Sequence, residues 1–150
     1  MSYCYINLEK TNYKPSADYK ILSPNDVDIE RLLEIYDLYA KHHEWDSVWP
    51  IYPEEFFASH NETIGYFHNN KIVAWSIMYK INNTVIEAEQ FAWDYVNPEL
   101  QLGYESMKTE CAIYKQKGYE IIILGDYHEY KKKIDGFELF GKENRGSKKM

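Results

Sequence analysis

Residues 85–140 constrain the fold more than any other part of the chain. An extended run over residues 84–96 is followed by the turn Asn97-Pro98-Glu99-Leu100-Gln101-Leu102-Gly103-Tyr104. The periodicity then predicts a helix over residues 102–116, with Met107, Cys111 and Tyr114 on one face. Lys108, Glu110, Lys115 and Gln116 fall mostly outside, and Gly118 ends the helix. Glu120-Ile121-Ile122-Ile123-Leu124 returns as a strand. Strand, helix and strand in this order imply a right-handed parallel crossover. A strand that opens into a helix through such a turn presents bare backbone N–H groups to an anionic ligand, such as a phosphorylated donor or a nucleic-acid end.

The N-terminal half reads as antiparallel. Residues 3–8 suit a short leading strand, and residues 18–22 alternate polar and apolar as an edge or first strand does. Ser23-Pro24-Asn25-Asp26 reads as a helix start, with a capping serine, a proline at the first helical position and an acid near the positive end of the helix dipole. Ile29, Leu32, Leu33, Tyr36 and Tyr39 or Ala40 then recur at helical spacing and give that helix one face to pack on a sheet. An aromatic-rich loop follows His43, and Pro53-Glu54-Glu55 starts a short second helix to about His60. Residues 63–68 and 71–80 form a hairpin across Asn69-Asn70, residues that tolerate the positive φ angles of a tight turn. Residues 72–79 and 120–124 are apolar on both faces, which belongs to a sheet covered by helices on each side. The expected class is therefore α/β (α+β), a mixed central sheet, antiparallel early and parallel late, flanked by helices.

At 150 residues, with 45% apolar and 27% charged side chains, the chain fits one domain over residues 1–150. The net charge of −7 is uneven: residues 131–150 carry seven Lys or Arg against three acids, which leaves −11 on the rest. Residues 142–150 are expected to be a flexible basic tail. An acidic body argues against broad nonspecific DNA binding, whereas the basic end suits phosphate on a cofactor or an RNA terminus. Cys4 and Cys111 have no paired spacing, so a reducing cytoplasm is expected. No apolar run reaches the length of a membrane span.

The order of elements over residues 18–140 resembles the GNAT superfamily of N-acyltransferases. That resemblance implies a GNAT-like fold and an acyl-CoA donor such as acetyl-CoA. The donor's pyrophosphate would be held by backbone amides at the turn after the family's fourth strand, here Gln101, Leu102, Gly103 and Tyr104. The family's usual Arg/Gln-x-x-Gly-x-Gly/Ala pattern is present only as Leu100-Gln101-Leu102-Gly103-Tyr104-Glu105, with one glycine and no arginine. Asp94, Pro98, Leu102-Gly103, Lys117-Gly118-Tyr119, Leu124-Gly125 and Tyr130-Lys131 before Phe137-Glu138 are similar to the C-terminal domain of arginyl-tRNA–protein transferases. This narrower resemblance implies aminoacyl-tRNA as an alternative donor and brings Lys131 into the donor site.

N-acyl transfer needs a free amine, stabilisation of an oxyanion and a proton for the leaving group. By the resemblance, Glu89 or Glu87 on the fourth strand is the base, a backbone N–H at a bulge in that strand holds the oxyanion, and Tyr127 or Tyr130 is the acid. Regular pairing would put Glu87 and Glu89 on one face with Phe91 and Trp93, where apolar neighbours raise a carboxylate's pKa. The alternative is a solvated strand end. Trp45, Trp49 and Tyr52 would wall an acceptor pocket, and Asp94 would orient the amine or cap the turn. His42, His43, Asp126 and His128 lack the spacing of a metal set, and no metal is expected. The acceptor is open among a small amine, a protein amino group and a nucleobase, the last reached through Lys131, Lys132, Lys133 and Arg145. A GNAT-shaped binding module without activity is the non-enzyme reading, and exposed hairpin edges would suit a homodimer.

Overall fold

The computed structural model describes residues 3–44, 51–126 and 129–140. Among the described residues seven strands form one sheet: β1 (Tyr3–Asn7), β2 (Tyr19–Ile21), β3 (Asn61–His68), β4 (Lys71–Lys80), β5 (Val85–Trp93), β6 (Ile121–Asp126) and β7 (Phe137–Phe140), in the order β2-β3-β4-β5-β6-β1-β7. Two helices, α1 (Ile29–His42) and α2 (Leu102–Gln116), complete the mixed α+β architecture.

Neighbouring strands are antiparallel except β5 and β6, which run parallel across the α2 crossover. Asn69 and Asn70 close the β3–β4 hairpin with φ of 52° and 66°, the mirror-image turn that matches strand twist. The leading strand is not at an edge. β1 pairs with β6 on one side and β7 on the other, so the first and last described strands meet beside the crossover.

Successive β4 side chains enter opposite layers, as the strand period requires. Trp75 and Ile77 join Leu32, Ile35 and Tyr36 of α1 together with Phe56. Ala74 and Met78 join a larger core with Met107, Cys111, Ile113 and Tyr114 of α2. The indole of Trp75 is fully buried and donates to the Leu32 carbonyl at 2.9 Å, which fixes α1 on the sheet. Burial pushes the Cys111 thiol up to about 12, as befits a small core residue.

Several local expectations change. The helix expected from Ser23 begins later: Pro24–Asp26 is a 3₁₀ turn, and Asp28 is the true cap of α1, accepting from the Glu30 N–H at 3.0 Å. The segment after Tyr52 is a 3₁₀ turn over Pro53–Phe57 rather than a helix to His60. In β5 the register slips by one: Ile77 pairs with Gln90 but Met78 with Ala88, which leaves Glu89 as the extra residue of a bulge. Regular alternation is thereby broken. Ile86 and Ala88 before the bulge share the α2-side core with Phe91 and Trp93 after it, so Glu87 falls on the other face.

Asp94, just beyond β5, binds Arg31 of α1 at 2.7 Å and accepts from the Val96 N–H at 3.0 Å. The carboxylate is 2% exposed and the guanidinium 13%, so losing one partner strands the other in a poorly hydrated place. Asp94→Ala is expected to cost about 3 kcal/mol, read as a lowered midpoint in chemical denaturation.

Candidate functional site

The parallel ladder between β5 and β6 is only three pairs long: Val85 with Ile121, Ile86 with Ile122, Glu87 with Ile123. Beyond it both strands continue, β5 to Trp93 and β6 to Asp126, without pairing. The bulge at Glu89 lies where they part. A bulge adds local twist, which swings β5 away from its neighbour. Backbone groups of Ala88–Phe91 on that side are left without a ladder to join.

A cavity of about 310 Å³ fills the opening. Ser76, Ala88, Glu89, Gln90 and Phe91 line it from the sheet, Gly103, Ser106, Met107 and Glu110 from α2, and Leu124 and Lys131 from the far side. A wider aromatic cleft of about 740 Å³ shares Tyr39, Phe91 and Gly103 with it and continues over His42, His43, Trp93, Tyr95, Pro98, Gln101 and Tyr104. Tyr95 is its centre, stacked on His42 with ring centroids 3.6 Å apart and on Trp93 at 4.1 Å. Its φ of 60° is unusual for so bulky a residue, a strain of roughly 1–3 kcal/mol that its neighbours sustain. The Trp93 Nε1 is buried with no hydrogen-bond partner. Burial, and then His42, lower the pKa of His43.

Glu110 is the residue that sequence reasoning misplaced. Expected on the outer side of α2, it is 4% exposed and lies against the sheet. The hydroxyls of Tyr66 (β3) and Ser76 (β4) both donate to its Oε2, at 2.5 and 2.6 Å. Burial raises its carboxyl to about 7 despite these two bonds, which act to lower it. Burial, reinforced by the Glu110 charge, raises the Tyr66 phenol well above its usual value. The signal was present in the chain. Met107, Glu110, Cys111 and Tyr114 are spaced by three, one and three, which puts Glu110 inside the apolar stripe.

Glu89 lines the cavity, and its pKa is raised by partial desolvation, then by Glu87 and Glu55. Glu87 lines neither space. Lys131 is buried at the cavity wall, donating to the Leu124 carbonyl at 3.1 Å. Asp94 is engaged by Arg31 and lines neither space, and the exposed Tyr52 also stands apart. Trp45, Trp49 and Tyr127 lie outside the described residues, as do the side chain of Tyr130 and residues 142–150.

The turn before α2 has a defined form. Pro98–Leu100 is a 3₁₀ turn, and Gln101, at φ 49°, leads into the helix without a side-chain cap. The Tyr104 and Glu105 N–H groups are taken by the Gln101 carbonyl, while among the described residues no acceptor takes those of Leu102 and Gly103. A Cβ on Gly103 would meet nothing within 4 Å, so space stands open over the helix start. The Tyr104 hydroxyl reaches the Lys133 carbonyl at 3.5 Å and brings the Lys131–Lys133 segment alongside. These features fit a phosphate-bearing donor at the helix terminus. The first-turn acid Glu105 opposes an anion, and Lys108, 3.2 Å away, offsets it. Among the described residues no group of three or more His, Cys, Asp or Glu could hold a metal, and no helix is long and apolar enough to cross a membrane.

Strand order, parallel crossover, bulge and opening together make a GNAT-like α+β fold, and comparison with solved structures agrees. The chain is similar to the C-terminal domain of a protein assigned as a lysylphosphatidylglycerol synthetase from Agrobacterium fabrum (TM-score 0.67, 12% identity, 83% of this chain and 46% of that one). It is similar to Saccharomyces cerevisiae N-myristoyltransferase with bound myristoyl-CoA (0.60, 13%, 91% and 46%). An aminoglycoside acetyltransferase from a soil metagenomic sample also matches (0.55, 15%, 77% and 80%). The chain thus spans less than half the length of the first two. At these identities the likeness is one of fold. No family model and no curated protein matches the sequence.

The pKa of Glu110 has a consequence for stability. Below about pH 4.5 its carboxyl is protonated whether folded or unfolded; between there and about 7 only the unfolded chain ionises, so stability falls as pH rises and then levels off. Glu110→Gln removes this slope. Relative to the unsubstituted protein it should gain up to roughly 3 kcal/mol above pH 7 and nothing near pH 4, measured by denaturation at several pH values.

Proposed function

We propose that the chain is an N-acyltransferase that moves a small acyl group from acyl-CoA to an amine. The observation that carries this reading is the opening between β5 and β6, where the bulge, the cavity and the α2 start converge. The Leu102 and Gly103 amides would receive the donor's pyrophosphate, with Gln101 and Tyr104 flanking it and the exposed Lys132 and Lys133 adding positive charge. The acyl thioester would then lie along the unpaired edge of Ala88–Phe91, where a backbone N–H holds the carbonyl oxygen as it gains charge. The amine nitrogen bonds to the carbonyl carbon, the C–S bond breaks, and a cavity carboxylate takes the ammonium proton. Glu89, which lines the cavity and whose pKa its surroundings raise, would take that role. Tyr130 or Tyr127 would protonate the leaving thiolate.

Ser76, Gln90, Ser106, Glu110 and Lys131 put polar groups among the cavity's apolar lining, and with its small volume this suits a short acyl group rather than a long hydrocarbon. The aromatic cleft around Tyr95 is the acceptor's way in, and its ring faces favour a flat or cationic amine. An aminoacyl-tRNA donor is the second reading. It is favoured by the Lys131–Lys133 segment beside α2.

Calorimetric titration with CoA, acetyl-CoA and an aminoacyl-tRNA separates these readings. Micromolar CoA binding is the expected result. Binding of tRNA alone favours the second donor, and silence from all three leaves a binding module. Gly103→Trp should stay folded, because the space over Gly103 is open, yet weaken CoA binding at least tenfold. Unchanged affinity in the folded variant would move the donor site elsewhere.

A further inference from the structure

The cavity contains a charged group that general acyl transfer does not require. Glu110 reaches it from α2, one turn above Ser106 and two above Gly103, and its Oε2 is fully engaged by Tyr66 and Ser76. Among the described residues nothing donates to its Oε1, which is not one of the buried polar atoms sealed from solvent without a partner. The carboxylate is therefore anchored through one oxygen and offers the other to the cavity.

The remaining polar groups around it set the charge. Glu89 faces the cavity from β5, and Lys131 from the segment after β6, its ammonium engaged by the Leu124 carbonyl. Tyr66 and Ser76 contribute hydroxyls from β3 and β4, while Cys111 and Tyr114 beside Glu110 on α2 have pKa values pushed upward by burial and remain neutral. With both carboxylates ionised, two negative charges face one positive among the described residues that line the cavity, a net −1 from these groups. A second cation would neutralise it.

We propose that Glu110 Oε1 is a recognition site for a primary ammonium group inside the cavity. The ammonium belongs either to the acceptor amine or to an amino group on the donor's acyl portion; both present the same –NH₃⁺ to the same oxygen. This inference names the substrate class of the transferase site proposed above and rests on that reading for its biological sense, though the binding itself does not depend on CoA. An ammonium donates up to three hydrogen bonds, and Glu110 Oε1, a Ser106 or Gln90 side-chain oxygen and Glu89 are the acceptors lining the space. Because ammonium binds the ionised carboxylate, affinity should climb as pH rises through about 7, where Glu110 gives up its proton.

The test titrates the full chain with ethylamine and 1,3-diaminopropane from pH 5.5 to 8.5, observing the carboxyl carbon of ¹³C-labelled glutamates by NMR. Saturating amine should lower the apparent pKa of Glu110, and binding at pH 8 should fall at least tenfold in Glu110→Gln. That substitution keeps an oxygen for Tyr66 and Ser76, and the carboxyl titration of the unsubstituted protein makes the test independent of how the variant folds. An unmoved Glu110 titration, or equal amine affinity in the folded variant, overturns the proposal. Two arms then find the source of the ammonium. Amine and CoA binding together mark the acceptor. Tighter binding of β-alanyl-CoA than of propionyl-CoA, lost in Glu110→Gln, marks the donor. Amine binding at Glu110 without any CoA binding would sink the acyl-CoA reading and leave the ammonium site standing.

Discussion

The cavity, the cleft beside it and the proposed site all depend on the shortness of one ladder. Parallel pairing between β5 and β6 stops after Glu87 and Ile123, and the sheet parts instead of closing. Backbone polar groups left open at such a place need partners. A continuous sheet would have satisfied them internally and left no room for a ligand. The bulge at Glu89 and the packing of α2 behind the opening keep the gap from collapsing.

The fold stabilises this gap from both sides. On one layer Trp75 locks α1 to β4, and the Arg31–Asp94 pair ties α1 to the end of β5. On the other, the Tyr66–Glu110–Ser76 cluster ties α2 to β3 and β4. Two of these ties are ionisable groups held out of water, a costly way to build a core. The cost differs between them. Asp94 is paired with a cation, whereas the buried bonds to Glu110 come from neutral hydroxyls, so its ionisation is penalised and its pKa climbs. A carboxyl that changes charge near neutral pH inside a ligand-sized cavity is a common attribute of working sites.

Much of this was legible from residue order. Asn69-Asn70, the α2 pattern closed by Gly118 and the doubly apolar runs of β4 and β6 each carry a local signal, because turn and helix chemistry act over a few residues. The α1 start was misread because Ser23-Pro24 imitates a cap, and Asp28 makes the better one four residues after Pro24. The face assigned to Glu87 failed for a different reason. Strict alternation holds only while register holds, and a single unmatched residue reverses it.

The sequence by itself determined the elements, their order and the parallel crossover, since hydrophobic period and turn residues are properties of neighbours along the chain. Tertiary structure alone decided that β1 would slip between β6 and β7, that Glu89 would stand outside the ladder, and that Glu110 would face the sheet. Each of these is settled by partners far away in sequence: Tyr66 and Ser76 lie 44 and 34 residues from Glu110. Helical spacing says that a glutamate falls on an apolar stripe. Only the strands that come to lie beneath it decide whether hydroxyls will be there to receive its charge.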